Sequence, residues 1–347
     1  MATQEETSKI IYPYITHPGN RYGLRQAVRY PEDCIKTLRS RPFSFSARSC
    51  NKWALGRVAI AGDAAHVFPP FGGQGISSGF RDASALSWRL ALFHREPRAD
   101  HQKLLTGWYL ERKQQLERSL AVTIRNGDAV NESNWVKFFI REWYLWAVQL
   151  IPSWRRQIEK GSRALGMTQY QHQKDLPFLP DMQGGLQLAQ VYVWSFDTSR
   201  VAFSDDLIFA PSKQGLLQIL LLPETVEEAD ILYEMIEGVT ERSGGLVVSD
   251  EATCLIQDRF VQQSVHTKHA SMARLASGED FAADSRLCRN RPPPKHYDPY
   301  LIKRQVKRGK IVIVRHDRFV FAVCSTRREL LHAVKTLPLA LSVPGRW

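Results

Sequence analysis

Hydrophobic and polar residues recur with helical spacing in two stretches. Gly75, Gly79, Ala83, Leu86 and Leu90 fall on one face of a helix predicted from about Ile76 to Phe93. A second helix is expected from Leu104 to about Ile124, with Glu111, Arg112, Lys113, Glu117 and Arg118 interspersed among its apolar positions. Ahead of both, Arg57-Val58-Ala59-Ile60-Ala61-Gly62-Asp63 reads as a short buried strand ending in a Gly-Asp turn. Residues 64 to 75 between them are a Gly/Pro-rich loop. The longest apolar stretch, Phe138 to Ile151, is interrupted by Arg141, Glu142 and Gln149 and is too short to cross a bilayer. It predicts a packed helix. A membrane-surface helix is the second reading, because Trp135, Phe138, Phe139, Trp143, Tyr144 and Trp146 also suit an interface.

The C-terminal half alternates strand and helix patterns. Leu216 to Leu222 is an apolar strand, Val226 to Gly238 an amphipathic helix, and Thr326 to Leu337 a last helix. Lys310 to Val314 and Phe319 to Val323 are β-branched runs that predict a hairpin around His316-Asp317-Arg318. Gly166, Pro177, Pro180, Gly184 and Gly185 mark a linker-like stretch, and Arg289 to Pro299 an exposed loop. Residues 1 to about 50 carry Pro13, Pro18, Pro31 and Pro42, which interrupt any long helix. Three regions are therefore expected: 1–165, a linker at 166–187, and 188–347. No internal repeat is present.

Composition narrows the class. With 347 residues, 44% hydrophobic and 24% charged, the chain is in the globular range and long enough for about two domains. The net charge of +12 is scattered, with no nucleic-acid motif, and reads as a solvated basic surface suited to anionic cofactors. Arg21, Arg25 and Arg29 read as part of that surface. Five cysteines, an odd count without CxxC spacing, give no support to a disulfide framework, a dithiol motif or a zinc knuckle, and point to reduced thiols in an intracellular protein. The polar Met1 to Lys9 segment has no secretory signal character, so a cytoplasmic protein without stable membrane insertion is expected.

The chemistry concentrates between Gly56 and Leu92. A carboxylate, Asp63, ends a strand beside Pro69-Pro70 and Gly72-Gly73-Gln74-Gly75, and a helix starts at once. A helix N-terminus favours electron-rich oxygens, glycines allow a flat ring to approach the backbone, and a carboxylate accepts hydrogen bonds from a polyol. Read from the residues alone, Asp63 is either this acceptor or a turn cap. His66 reads as a packing residue, Asp82 as a cap or partner within its own helix, Trp88 and Leu90 as core, and Tyr109 and Glu111 as helix contacts.

Gly62-Asp63-Ala64-Ala65-His66, Pro69-Pro70, Gly72-Gly73-Gln74-Gly75, Gly79-Phe80-Arg81-Asp82, Leu86, Trp88-Arg89-Leu90 and Tyr109-Leu110-Glu111-Arg112 together resemble the second FAD motif of the class A flavin monooxygenases, the para-hydroxybenzoate hydroxylase (PHBH) and phenol hydroxylase relatives. The nearest flavour is the phenylpropionate-hydroxylase and aromatic-polyketide-hydroxylase group. The resemblance implies an α/β fold: the C-terminal part of a PHBH-like FAD-binding fold, then a thioredoxin-like α/β domain. The latter is suggested by Phe203-Ser204-Asp205-Asp206, by Lys213 to Leu220 and by Ile311 to Asp317, and its role in relatives is structural.

The resemblance also implies FAD as cofactor, NAD(P)H as co-substrate and a small aromatic or polyketide-type substrate hydroxylated with O2. A homodimer is a further implication. Asp63, with Gly62, would bind the ribitol. Gly73, Gln74, Gly75, Ile76 and Ser77 would face the flavin, and Pro70 and Gly72 would line the oxygen site. The flavin carries the reaction, so no side chain is expected to act as a nucleophile. The chain has no GxGxxG, the motif that holds the FAD pyrophosphate. It is therefore expected to correspond only to the C-terminal part of such an enzyme. The competing expectation is an inactive fragment that serves as an interaction protein through its thioredoxin-like domain.

Overall fold

The computed structural model describes residues 4–16, 26–36, 38, 44–156, 169–261, 271–289, 291–292 and 297–343. Arg21, Arg25, Gly166, Pro18, Pro42, Pro293 and Pro294 lie outside them. Contacts divide the chain into Met1–Ser46 and Ala47–Trp347. In the first unit, α1 (Gln4–Ile15) carries Tyr12, whose ring lies 3.8 Å beneath the Arg29 guanidinium.

The second unit begins with two small antiparallel ladders. The strand β1 (Arg48–Ser49) pairs with β4 (His66–Val67), and β2 (Ala54–Leu55) pairs with β3 (Val58–Ala59). The expected buried strand at 57–63 is thus only two residues long, and both are exposed. Its apolar run has only β2 beside it, and burial of a strand requires cover on both faces. A 3-10 turn, Gly62–Ala64, follows.

Three long helices come next: α2 (Gly75–Arg95), α3 (His101–Val130) and α4 (Trp135–Leu150). The Asp100 carboxylate caps α3 by accepting from Lys103 N at 3.0 Å, and Asn134 Oδ1 caps α4 by accepting from Val136 N and Lys137 N. The buried face of α2 is Ser78, Asp82, Ala85, Trp88, Arg89 and Leu92. The face expected from Gly75, Gly79, Ala83, Leu86 and Leu90 is turned one position away, and Leu90 is exposed rather than core. The spacing was right and the phase wrong, because the true face buries Ser78, Asp82 and Arg89 against polar partners. The expected packing of the apolar helix also fails: Val148 alone is buried in α4.

The C-terminal half is one seven-stranded mixed sheet. Its strands are β5 (Tyr192–Ser195), β6 (Arg200–Phe203), β7 (Leu217–Leu221), β8 (Thr253–Ile256), β9 (Met272–Leu275), β10 (Ile311–Arg315) and β11 (Val320–Cys324), in the order β11-β10-β7-β8-β9-β5-β6. Helices α5 (Ser204–Ile208), α6 (Val226–Met235), α7 (Val239–Arg242), α8 (Gly278–Ala283), α9 (Leu301–Val306) and α10 (Arg327–Ala340) connect or cover them. Parallel β7 and β8 joined through α6, then the antiparallel β10–β11 hairpin and α10, make the expected thioredoxin-like order. The sequence reading missed β5, β6, β8 and β9, whose four-residue runs are too short for periodicity to register.

Alternation along the central strands divides the core in two. Leu217, Ile219, Leu221, Ile311 and Ile313 pack with α6, with α10 and with Trp88, Leu92 and Leu104 of the helical pair. Leu220, Leu222, Val312 and Val314 pack on the other side with Ile208, Ile302 and Val306. Burial on both faces explains why these strands read as unbroken apolar runs. Within the expected linker, Tyr170, Leu176 and Phe178 form a buried cluster with Phe319, while residues 171–175 are exposed. All five cysteines are free, and burial pushes the Cys254 and Cys324 thiols up to about 12, which leaves them inert.

Candidate functional site

The Gly62–Ala64 turn lies against the first two turns of α2. Gly62 has a φ of 60°, a conformation that glycine adopts at little cost. A Cβ on Gly79 would stand 3.6 Å from the Gly62 Cα, so the two backbones meet with no side chain between them. Gly62 N donates to Asp82 Oδ2 at 2.9 Å, which ties the turn to α2 from below. Asp63 sits at the middle of this turn and is exposed. Its carboxylate does not cap the turn, and it has no hydrogen bond or ion pair with a described residue. Of the two readings of Asp63, the turn cap is therefore excluded.

The glycine loop is held from several directions. Gly72 N and Gly73 N donate to Pro70 O at 2.7 and 3.1 Å, Gln74 Nε2 donates to Gly72 O at 3.1 Å, and Asn126 Nδ2 of α3 donates to Phe71 O at 3.0 Å. Gly73 has a φ of 60°, as a tight turn of this kind requires. Gly73 and Ile76 are exposed, and Gly72, Gln74, Gly75 and Ser77 are half-buried, so one side of the loop is open. The first turn of α2, a 21-residue helix, has no side-chain cap and no acidic residue of its own.

Asp82 underpins all of this from a fully buried position, and its partners lie outside its own helix, contrary to the sequence reading. Its carboxylate accepts from Gly62 N, from His66 Nε2 at 2.8 Å and from Arg112 Nε at 2.7 Å. Burial opposes the charge, but the His66 hydrogen bond, the Arg112 guanidinium and the Gly62 N–H outweigh it and hold the carboxyl below the usual range. An ionised carboxylate only accepts, so His66 Nε2 carries the proton. The His66 ring packs against Trp53 and Phe68, at centroid distances of 5.2 and 5.3 Å, and serves the packing role expected of it. Arg112 also donates to Ser78 Oγ at 3.2 Å. Asp82 and Arg112 are the positions that sequence reasoning undervalued. The signal was available: charged residues fall on the buried phase of both helices.

A second buried charge cluster lies deeper, between the helical pair and the sheet. Glu111 of α3 accepts from Arg89 of α2 and from Arg315 of β10, while Arg315 also donates to Asp317. Trp88 Nε1 donates to Asp317 Oδ2 at 2.9 Å. Glu111 thus makes the helix contact expected of it, with Arg89, and in addition joins α3 to the sheet through Arg315. Burial alone would push the Arg315 guanidinium down, but Asp317 and Glu111 raise it well above its ordinary value.

An exposed carboxylate and an uncapped helix start can hold a hydroxylated chain that ends in a flat ring with an electron-rich edge. Residues 21–120 match the family described as FAD binding domain. The chain is 30% identical over 154 residues to 3-(3-hydroxy-phenyl)propionate/3-hydroxycinnamic acid hydroxylase 1 of Burkholderia vietnamiensis, covering 44% of this chain and 23% of that protein. It is 28% identical over 142 residues to the corresponding hydroxylase of Klebsiella pneumoniae, covering 41% and 25%. The chain thus spans about a quarter of the length of the curated relatives it matches. Among solved structures, CabE, an aromatic hydroxylase from angucycline biosynthesis, has the same fold over 87% of this chain and 48% of its own, with a TM-score of 0.50 and 19% identity. Residues 21–120 therefore match the FAD binding domain family, and over 154 residues the chain is similar to an aromatic hydroxylase of the class A FAD monooxygenases.

Proposed function

We propose that this chain is the flavin-contacting part of an FAD-dependent monooxygenase that hydroxylates an aromatic or polyketide-type substrate with O2 and NAD(P)H. The observation that carries the reading is the Asp63 carboxylate, exposed and without a hydrogen bond to a described residue, on a turn whose Gly62 is tied to α2 through Asp82. The residues present fit the ribityl and ring portions of FAD. Asp63 and Gly62 would hold the ribitol hydroxyls. Gly73, Gln74, Gly75, Ile76 and Ser77 would meet the ring, and the positive end of α2 would favour its reduced, anionic form. Pro70 and Gly72 would shape the space beside it and exclude water. The bound flavin supplies the oxygen chemistry, and this chain's residues position it. The hydroxyphenylpropionate hydroxylases among the relatives favour a phenol-like substrate. The domain division at 166–187, a structural role for 188–347, a homodimer and a cytoplasmic setting belong to the same reading. Among the described residues no helix is long and apolar enough to cross a membrane.

The test is FAD titration of the purified chain, followed by flavin absorbance and fluorescence. The wild-type chain is expected to take up FAD. D63A is expected to bind at least about tenfold more weakly, since each charge-assisted hydrogen bond contributes on the order of 1.5–3 kcal/mol. Its folding stability should stay within about 0.5 kcal/mol, as for an exposed side chain with no partner. A wild-type chain that takes up no FAD, or a D63A chain that binds it equally well, sinks the reading.

A further inference from the structure

A cleft of about 270 Å³ opens between α2 and the end of the sheet where β7 and β8 begin and β10 ends. Trp88 and Ala91 of α2, with Leu216, give it an apolar lining. Three nitrogen-bearing side chains from separate elements share that lining: Arg95 at the end of α2, Lys213 in the loop before β7, and His316 in the turn between β10 and β11. No carboxylate of a described residue lines it.

The three side chains meet only neutral oxygens. Lys213 Nζ donates to Thr253 Oγ1 at 2.6 Å, and that hydroxyl gives its own hydrogen to Leu207 O. Arg95 donates to Gln214 O, and His316 Nε2 donates to Gly215 O at 3.2 Å. None of the three forms an ion pair with a described residue. Glu251, the acid whose charge acts on Lys213, is engaged elsewhere: its two oxygens accept from Gln214 N at 2.6 Å and from Gly215 N at 2.8 Å. The Gln214–Gly215 backbone is therefore held through both its N–H and its C=O groups, and the cleft wall it forms is fixed. Burial with no anion in contact pushes the Lys213 amine down to about 8.

A half-buried ammonium bonded to one neutral oxygen has donors to spare, and an anion satisfies them best. The apolar lining beside it favours an anion that carries a hydrophobic body over a bare inorganic ion. The volume sits at the lower edge of the roughly 300–1,000 Å³ usual for ligand sites, which limits that body to about a single ring.

We infer that this cleft binds a small organic anion, with its carboxylate at Lys213 and Arg95 and its apolar body against Trp88 and Leu216. The inference uses no residue of the flavin site and stands independently of it.

Titration calorimetry of the full chain tests it, with benzoate as the probe and benzyl alcohol and inorganic phosphate as comparators. Benzoate is expected to bind, and both comparators to bind about tenfold more weakly or not at all. K213M should weaken benzoate binding by about tenfold or more, the usual loss for one hydrogen bond to a charged group. R95Q, at an exposed position, should weaken it as well at unchanged melting temperature, which keeps the test decisive where K213M disturbs folding. No uptake of benzoate overturns the inference, as does benzyl alcohol or phosphate binding equally tightly. So does benzoate binding that R95Q leaves unchanged, because the anion would then sit elsewhere on the chain.

Discussion

Arg315 of β10 grips Glu111 of α3 with both arms of its guanidinium: Nη1 donates to Oε1 at 2.6 Å and Nη2 to Oε2 at 2.9 Å, across 204 residues of sequence and with neither side chain exposed. Arg89 completes the arrangement by donating to the same Oε2 at 2.8 Å. Two cations and one anion therefore meet where the helices that position the candidate site rest on the sheet, with Asp317 supplying the second negative charge. Buried charges of this kind contribute little over an apolar replacement of the whole cluster, but removing one member leaves the others uncompensated.

E111Q is accordingly expected to destabilise the chain by about 3–5 kcal/mol, because Arg89 and Arg315 would share a neutral partner in a buried site. Urea unfolding followed by circular dichroism measures this. A loss below about 1 kcal/mol would show that the cluster is solvated in solution and does not couple the helices to the sheet.

Acid should weaken the site through Asp82. Its folded pKa is depressed below the unfolded one, so its stabilisation is complete above the unfolded value of about 3.9 and is lost as pH falls through the lower folded value. The depressed Asp317 carboxyl acts in the same direction and the same window. D82N is expected to lose about 2–3 kcal/mol at neutral pH, since Arg112 and His66 lose their buried anion. Its stability should also fall less steeply than that of the wild type below about pH 4. Parallel acid limbs for the two proteins would remove Asp82 from the account.

Gly127 gives a test of how the glycine loop is supported. It lies in α3, where alanine normally stabilises by about 1 kcal/mol. Here a Cβ would stand 2.7 Å from the Phe71 ring, and the Phe71 carbonyl is held by Asn126. G127A is expected to lose about 1–2 kcal/mol through this overlap and to shift the Pro70–Gly73 turn, which FAD titration alongside urea unfolding would register. A more stable variant with unchanged FAD uptake would show that Phe71 moves aside freely.

Local chemistry was legible in the residues themselves. The order of the carboxylate, the Gly/Pro loop and the helix start is a property of neighbouring positions, as are the period of α2 and α3 and the doubly buried runs of β7, β10 and β11, so each could be read before any coordinate was known. Tertiary structure decided what those elements meet. The phase of α2 depended on Asp82 finding Gly62, His66 and Arg112, and the role of Glu111 on an arginine 204 residues away. The outward turn of α4 had the same kind of cause, since its composition predicts burial and only the surrounding fold determines that Val148 alone among its side chains is buried. Periodicity records which residues share a face, but burial and ion pairing are settled between faces, and that information resides in distances that the order of residues does not contain.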